Sequence, residues 1–300
     1  MKKSIVLLIT LALIVAISAL IAIGLMKVDE GAKSVEKKRF LIQTLTFTQN
    51  AVDILGKKRS DINSSNGFEM LLLTPIELKS KEISLDLAFD SAAKGINPNN
   101  FLKKVRNKFT INPDYVLLFD RILQSENVQN KELFLAMIED TLDKDLDERI
   151  PGSEIAFYDK RFAQGSIENF KKFMQIIDHY VRLSEDGNIY KIPWREILSF
   201  HTKKIDFNYI SPKLLHYMLP YLDSEGIKKV TTAKKINYTD WKDLPLAKEY
   251  KDTLKRYDIS FFVPVVEANL SVRQADRAGF AHFVYDINQK KVLDIAYKID

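Results

Sequence analysis

The run from Ile5 to Met26 constrains this chain more than any other stretch. It is aliphatic, broken only by Thr10, Ser18 and small Ala and Gly residues, and it carries no charge. A helix needs about 20 such residues to cross the roughly 30 Å hydrocarbon core of a bilayer, and it satisfies its own backbone hydrogen bonds there. The apolar region of a cleaved secretory leader is only about 7 to 15 residues long, so the length favours a permanent anchor. Lys2 and Lys3 precede the run. The bias of positive charge toward the cytoplasm then predicts a short cytoplasmic tip, one span, and the remaining chain on the far side.

Beyond the anchor, a chain of 300 residues with 46% hydrophobic and 28% charged residues has room for one or two packed domains. The net charge of +5 comes from 45 basic and 40 acidic residues mixed along the chain, which does not mark a nucleic-acid surface. The absence of cysteine removes disulfides, thiolate catalysis and cysteine-held metal sites together. Such an exported domain relies on packing, or in part on a metal such as calcium.

From the membrane outward, Leu41, Leu45, Val52 and Leu55 recur at helical spacings. One long helix is expected to run to about Leu55, with Gly56 ending it and a polar loop over Lys57 to Gly67. The outer half is amphipathic, so its apolar stripe is expected to lie on the folded domain, and Leu41, Leu45 and Val52 of that stripe are the residues expected to meet partners. Phe68 to Thr74 and Ile83 to Phe89 read as two antiparallel strands separated by Pro75, laid on the stalk. The period then turns helical over Pro98–Phe109, Pro113–Leu123, Lys131–Leu142, Ile167–Leu183 and Pro193–Phe200. It continues helical over Pro212–Tyr221, Glu225–Ala233, Thr239–Leu244 and Tyr250–Arg256. Strands return at Phe261–Leu270, Gly279–Asp286 and Val292–Ile299. The expected architecture is α+β: a long N-terminal helix on an antiparallel sheet, with a large all-α domain inserted between strands. The divisions are 1–26 for the tip and span, 27–96 for the outer stalk and first strands, 97–257 for the insert, and 258–300 for the closing strands.

One segment carries a chemical pattern. Counted from Asp143, acidic residues Asp143, Asp145, Asp147 and Glu154 occupy positions 1, 3, 5 and 12, a spacing that lets a loop wrap Ca²⁺ with hard oxygen ligands. Glu148 stands at position 6, where an EF-hand needs Gly, so the loop must turn differently. A solvated charge run is the alternative reading. Ser211 to Leu244 also has the outline of a helix-hairpin-helix, but its turn carries Asp223 and Glu225 where a phosphate would approach, which argues against nucleic acid. His179, His201, His216 and His282 are dispersed, and no nucleophile elbow, Walker loop or dinucleotide fingerprint is present. Trp194 and Trp241 are expected in the helical core.

Two motif sets resemble those of the K-type minor pseudopilins of bacterial type II secretion. Asp140-Thr-Leu-Asp143-Lys-Asp145, then Arg149, Gly152-Ser153-Glu154 and Tyr158, resembles one family stretch. Ile205-Asp-Phe-Asn208-Tyr-Ile-Ser211-Pro212, leading to Leu219-Pro220 and Tyr238-Thr-Asp-Trp241-Lys-Asp-Leu244, resembles another. The resemblance implies a pilin-like module with an inserted helical domain, anchored once in the bacterial inner membrane with its C-terminal domain in the periplasm. It implies a non-enzymatic subunit at the pseudopilus tip, joined to other minor pseudopilins, binding Ca²⁺ and neither nucleic acid nor a small-molecule substrate. The family is cut after a glycine just before the apolar run; here the junction would be Ser4-Ile5. A chain cut there has Ile9 as its fifth residue and lacks the membrane glutamate of the major pseudopilin, as the resemblance implies for a tip subunit. A membrane-anchored periplasmic enzyme or binding protein acting alone is the competing reading.

Overall fold

The structure is a computed structural model and describes residues 35–80, 83–106, 108–143, 145–234, 236–274 and 277–299. Helix α1 covers residues 35–57 and is followed by α2 (Arg59–Ile62), α3 (Ser65–Leu73), β1 (Ile76–Lys79) and β2 (Ile83–Ser91). The insert then contains β3 (Leu102–Val105), β4 (Lys108–Ile111), α4 (Pro113–Ser125), α5 (Lys131–Leu142), α6 (Ile155–Tyr158) and α7 (Phe170–Ser184). It continues through α8 (Trp194–Ile197), β5 (Ile205–Asp206), α9 (Pro212–Met218), α10 (Ser224–Val230), α11 (Lys248–Leu254) and β6 (Ile259–Ser260). Strands β7 (Val265–Gln274), β8 (Arg277–Asp286) and β9 (Lys291–Ile299) close the fold.

The expected order of two strands, an insert and three strands is present, with the first strand lying at Ile76–Lys79 rather than over Phe68 to Thr74. They form one antiparallel sheet in the order β1-β2-β7-β8-β9, and the insert leaves between the neighbours β2 and β7. Alternation places Leu85, Leu87 and Phe89 of β2 on the same buried face as Val266, Ala268, Leu270 and Val272 of β7. Helix α1 lies on that face, and burying each large apolar side chain there stabilises by about 1.5–3 kcal/mol.

The stripe of α1 that its own sheet covers is Phe40, Thr44, Thr48, Ala51 and Leu55, all buried. Its two threonines can be buried because each hydroxyl donates to a carbonyl one turn back: Thr44 to Phe40 at 3.1 Å and Thr48 to Thr44 at 2.8 Å. Gly279 of β8 lets the helix approach. A Cβ there would stand 2.7 Å from the Thr44 hydroxyl and 3.0 Å from the Phe40 ring. The Arg277–Glu36 ion pair joins the start of β8 to the start of α1.

Several expected elements differ. Helix α1 runs one residue beyond Gly56, and the segment read as a polar loop contains α2. Phe68 to Thr74 is mostly helix α3, because Ser64 caps it by accepting from Gly67 N at 3.1 Å and Phe68, Leu71 and Leu72 pack at helical spacing. The strand partner of β2 is instead Ile76–Lys79, past Pro75. Pro98–Phe109 is a short 3₁₀ turn leading into the β3–β4 hairpin, whose turn is set by Arg106 at φ 47°. Thr239–Leu244 is a turn in which the Asp243 carboxylate accepts from Thr239 N and Asp240 N, each at 3.0 Å. The insert is therefore mainly helical but not all-α, since it also carries β3–β4 and the short parallel pair β5–β6.

The insert has its own core. Trp194 stacks on Phe119 at 6.1 Å, meets Phe173 edge-on at 5.0 Å, and donates its indole N–H to Ile189 O at 2.9 Å. Trp241 packs at its margin against Phe261. Among the described residues no helix is long and apolar enough to cross a membrane. The expected span Ile5–Met26, the Ser4-Ile5 junction and Ile9 lie outside the described residues.

Candidate functional site

The acidic segment folds back on the end of α5. Asp140 is fully buried there and accepts from the Ser153 hydroxyl, from Arg149 N at 3.2 Å and from the Arg149 guanidinium. The same guanidinium reaches Glu139 at 2.8 Å and Asp143 at 2.6 Å, so one cation serves three carboxylates. Gly152 turns the loop at φ +92°, where a side chain is strained and a Cβ would also strike Leu183 at 2.6 Å. His179 Nε2 lies 3.0 Å from the Gly152 carbonyl while Arg182 donates to His179 Nδ1 at 3.1 Å. That pairing makes the ring a neutral Nε2–H donor, in keeping with burial holding its pKa below the ordinary value.

Glu154 is fully buried and caps α6 by accepting from Ala156 N at 2.9 Å. Its second oxygen accepts from the Gln164 amide at 2.7 Å, and that amide also donates to the Asp145 carbonyl. Asp145 and Asp147 are exposed, with the Asp145 carboxylate accepting from Asp147 N at 3.1 Å. Burial, followed by the charges of neighbouring acidic groups, raises the pKa of both Asp143 and Glu154. Among the described residues no group of three or more acidic or histidine side chains is arranged to hold a metal ion. Oδ1 of Asp143 is buried without a hydrogen-bond partner, and three carboxylates share the one guanidinium.

Leu41, Leu45 and Val52 are half-buried on one flank of α1, and the exposed Ile42 shares that flank by helical spacing. They stand beside the covered stripe rather than at its centre.

The second motif set forms the joint between insert and sheet. Asp206 is fully buried; it accepts from Asn208 N at 3.0 Å and from Val263 N at 2.8 Å, just before β7. Its backbone N–H donates to Ala93 O at 2.9 Å, just after β2. Burial pushes the Asp206 carboxyl up to about 6, against the opposing pull of its two N–H donors and of Lys234. The Asn208 amide donates to Tyr238 O at 2.9 Å and Phe261 O at 2.7 Å, and its carbonyl accepts from Tyr238 N at 2.8 Å. Lys234 donates to Asn208 O at 2.5 Å and to Asn237 at 2.7 Å, and Asn237 in turn donates to Glu69 of α3 at 2.8 Å. Lys234, Asn237, Glu69 and Gln164 were invisible to motif reading, since each acts across a long stretch of chain. In the hairpin α9–α10, Asp223 caps α10 by accepting from Gly226 N at 2.7 Å, which gives that acidic turn residue a local structural role.

No protein-family model matches the sequence, and no curated protein matches it. Among solved structures, the chain is similar to one from the crystal structure of the GspK-GspI-GspJ complex of the enterotoxigenic Escherichia coli type 2 secretion system. The TM-score is 0.63 at 10% identity, covering 89% of this chain and 99% of that one. The fold is that of a GspK-like minor pseudopilin.

Proposed function

We propose that this chain is a non-enzymatic minor pseudopilin at the tip of a type II secretion pseudopilus, where it starts or caps assembly with other minor pseudopilins. The observation that carries the reading is the fold match, which runs through the helix-on-sheet module and the insert together. In this reading residues 5–26 span the inner membrane once and the rest lies in the periplasm. Ser4-Ile5 is the processing junction, and Leu41, Leu45 and Val52 meet a neighbouring subunit's helix. Packing performs the function: α1 joins the fibre, and the insert, joined through Asp206 and Asn208, adds bulk beside it. The test is recovery of the tagged full-length chain from its own cells after crosslinking. Other pseudopilins should co-purify, and deletion of the gene should stop export; recovery of the chain alone, with export intact, would refute the reading.

Asp143, Asp145, Asp147 and Glu154 would hold Ca²⁺, which would neutralise their clustered charge and tie the loop to α6. A ligand that binds only the folded state stabilises it by about 2.7 kcal/mol at a hundredfold excess over Kd. The melting temperature of the full-length chain should therefore rise with Ca²⁺, fall with chelator, and lose this dependence in Asp143→Asn. An unchanged melting temperature in the unsubstituted chain removes the site.

A further inference from the structure

Helices α4 and α5 leave an apolar groove of about 610 Å³ on the surface of the insert. From α4 it is lined by Pro113, Val116, Leu117 and Asp120, and from α5 by Glu132, Leu135, Ala136 and Glu139. Both sets fall at i, i+3, i+4 and i+7, so each helix turns one whole face into the groove. The middle of each face is apolar; both ends of the α5 face are acidic, and so is the Asp120 end of the α4 face. Ile111 and Leu117 remain 44% and 43% exposed, more than a groove sealed by its own chain would leave. Volume, apolar lining and a few charged groups at the rim match a binding cleft.

The rim charges select the occupant. Asp120 is held by Lys131 at 2.5 Å, and Glu139 shares Arg149 with Asp140 and Asp143. Glu132 is exposed and, among the described residues, has no ion-pair partner. Three carboxylates thus line the groove against one guanidinium that is already engaged. An anionic partner is repelled, and a partner with cationic flanks is attracted. Two packed helices with a shared apolar seam are completed by a third, and the eight-residue face of each is about 11 Å long, two helical turns.

We propose that this groove binds a short amphipathic helix from another polypeptide, with apolar side chains at i, i+3 or i+4, and i+7 and with Lys or Arg on its flanks. The site lies on the insert and does not depend on the role proposed for the rest of the molecule. The test uses the full-length chain in phosphatidylcholine nanodiscs, with empty discs as control, and a fluorescein-labelled 14-residue helical peptide of Leu at those spacings and Lys between them. Fluorescence anisotropy should show saturable binding, weakened about tenfold or more when Glu replaces Lys in the peptide. Leu117→Glu should weaken it at least about tenfold, as loss of a central apolar contact does. Glu132→Lys, at an exposed position that leaves the fold intact, should weaken the Lys peptide and strengthen the Glu peptide. No saturable binding, equal affinity for both peptides, or an unchanged affinity in Glu132→Lys would overturn the proposal. If Leu117→Glu unfolds, the Glu132→Lys result decides alone.

Discussion

Truncating Asn208 to alanine tests whether the joint between insert and sheet is held by this one side chain. The amide donates to the carbonyls of Tyr238 and Phe261, and its oxygen accepts from Tyr238 N and, at 3.3 Å, from Lys234. Alanine leaves three backbone groups to find new partners, while Lys234 keeps the Asn208 backbone carbonyl and Asn237. An orphaned buried polar group costs about 1–3 kcal/mol. Phe261 is half-buried, so water can reach part of the site, and the lower end applies to its carbonyl. The expected loss is about 3–5 kcal/mol, a large share of a typical domain's stability. Urea unfolding of the full-length chain, followed by tryptophan fluorescence, reads it directly. Trp194 reports the insert core, and Trp241, packed on Phe261 at 5.2 Å, reports the joint. Asn208→Asp keeps the shape but points a carboxylate at two carbonyls, and it should be at least as damaging. A loss below about 1 kcal/mol with an unchanged unfolding slope, or a benign Asn208→Asp, would refute this account.

Asp206 gives a pH signature with a definite sign. Its folded pKa of about 6 lies above the ordinary 3.8, so the folded state binds the extra proton. The group's contribution is therefore fully present below pH 3.8 and is lost as pH rises through 6, a swing of about 3 kcal/mol relative to Asp206→Asn, read from urea midpoints between pH 4 and 7. Gly279→Val should push α1 off β8 and lower stability by about 1–3 kcal/mol, with Gly279→Ala milder; a neutral Val would contradict the close approach. Arg149→Met should destabilise by about 2–3 kcal/mol. That is less than for a fully buried pair, because Arg149 is 37% exposed and Asp140 keeps the Ser153 hydroxyl. Adding Asp140→Asn should recover part of the loss in a double-mutant cycle, and an additive result would show that the pair is not coupled.

Much of the scaffold could be read from residue pattern. The alternation in Ile83–Phe89 fixed a strand with the correct buried face, and Pro113, Lys131 and Pro212 opened helices where their spacing placed them. Failures came where a polar residue did apolar work or where an apolar run hid its period. Thr44 and Thr48 look like surface residues in a stalk sequence, yet back-bonding buries them at the centre of the interface. Apolar periodicity therefore chose Leu41, Leu45 and Val52, which lie on the flank. In residues 68–74 nearly continuous apolarity suits strand or helix, and the deciding signal was the cap at Ser64, several residues earlier.

The motifs themselves were informative in a different way, because they marked where distant segments meet and left out what meets them. Counting oxygens from Asp143 located the loop and its buried end at Glu154. It could not show that Arg149, inside the same segment, already spreads its charge over Glu139, Asp140 and Asp143, because that contact depends on the loop folding back over the last turn of α5. Any cation taken up by the loop must compete with this guanidinium for Asp143. Arg149 also lines the apolar groove, so a change in its pairing alters the groove's rim at Glu139. A spacing rule can find ligands, but the competition that sets their affinity is a property of the folded neighbourhood.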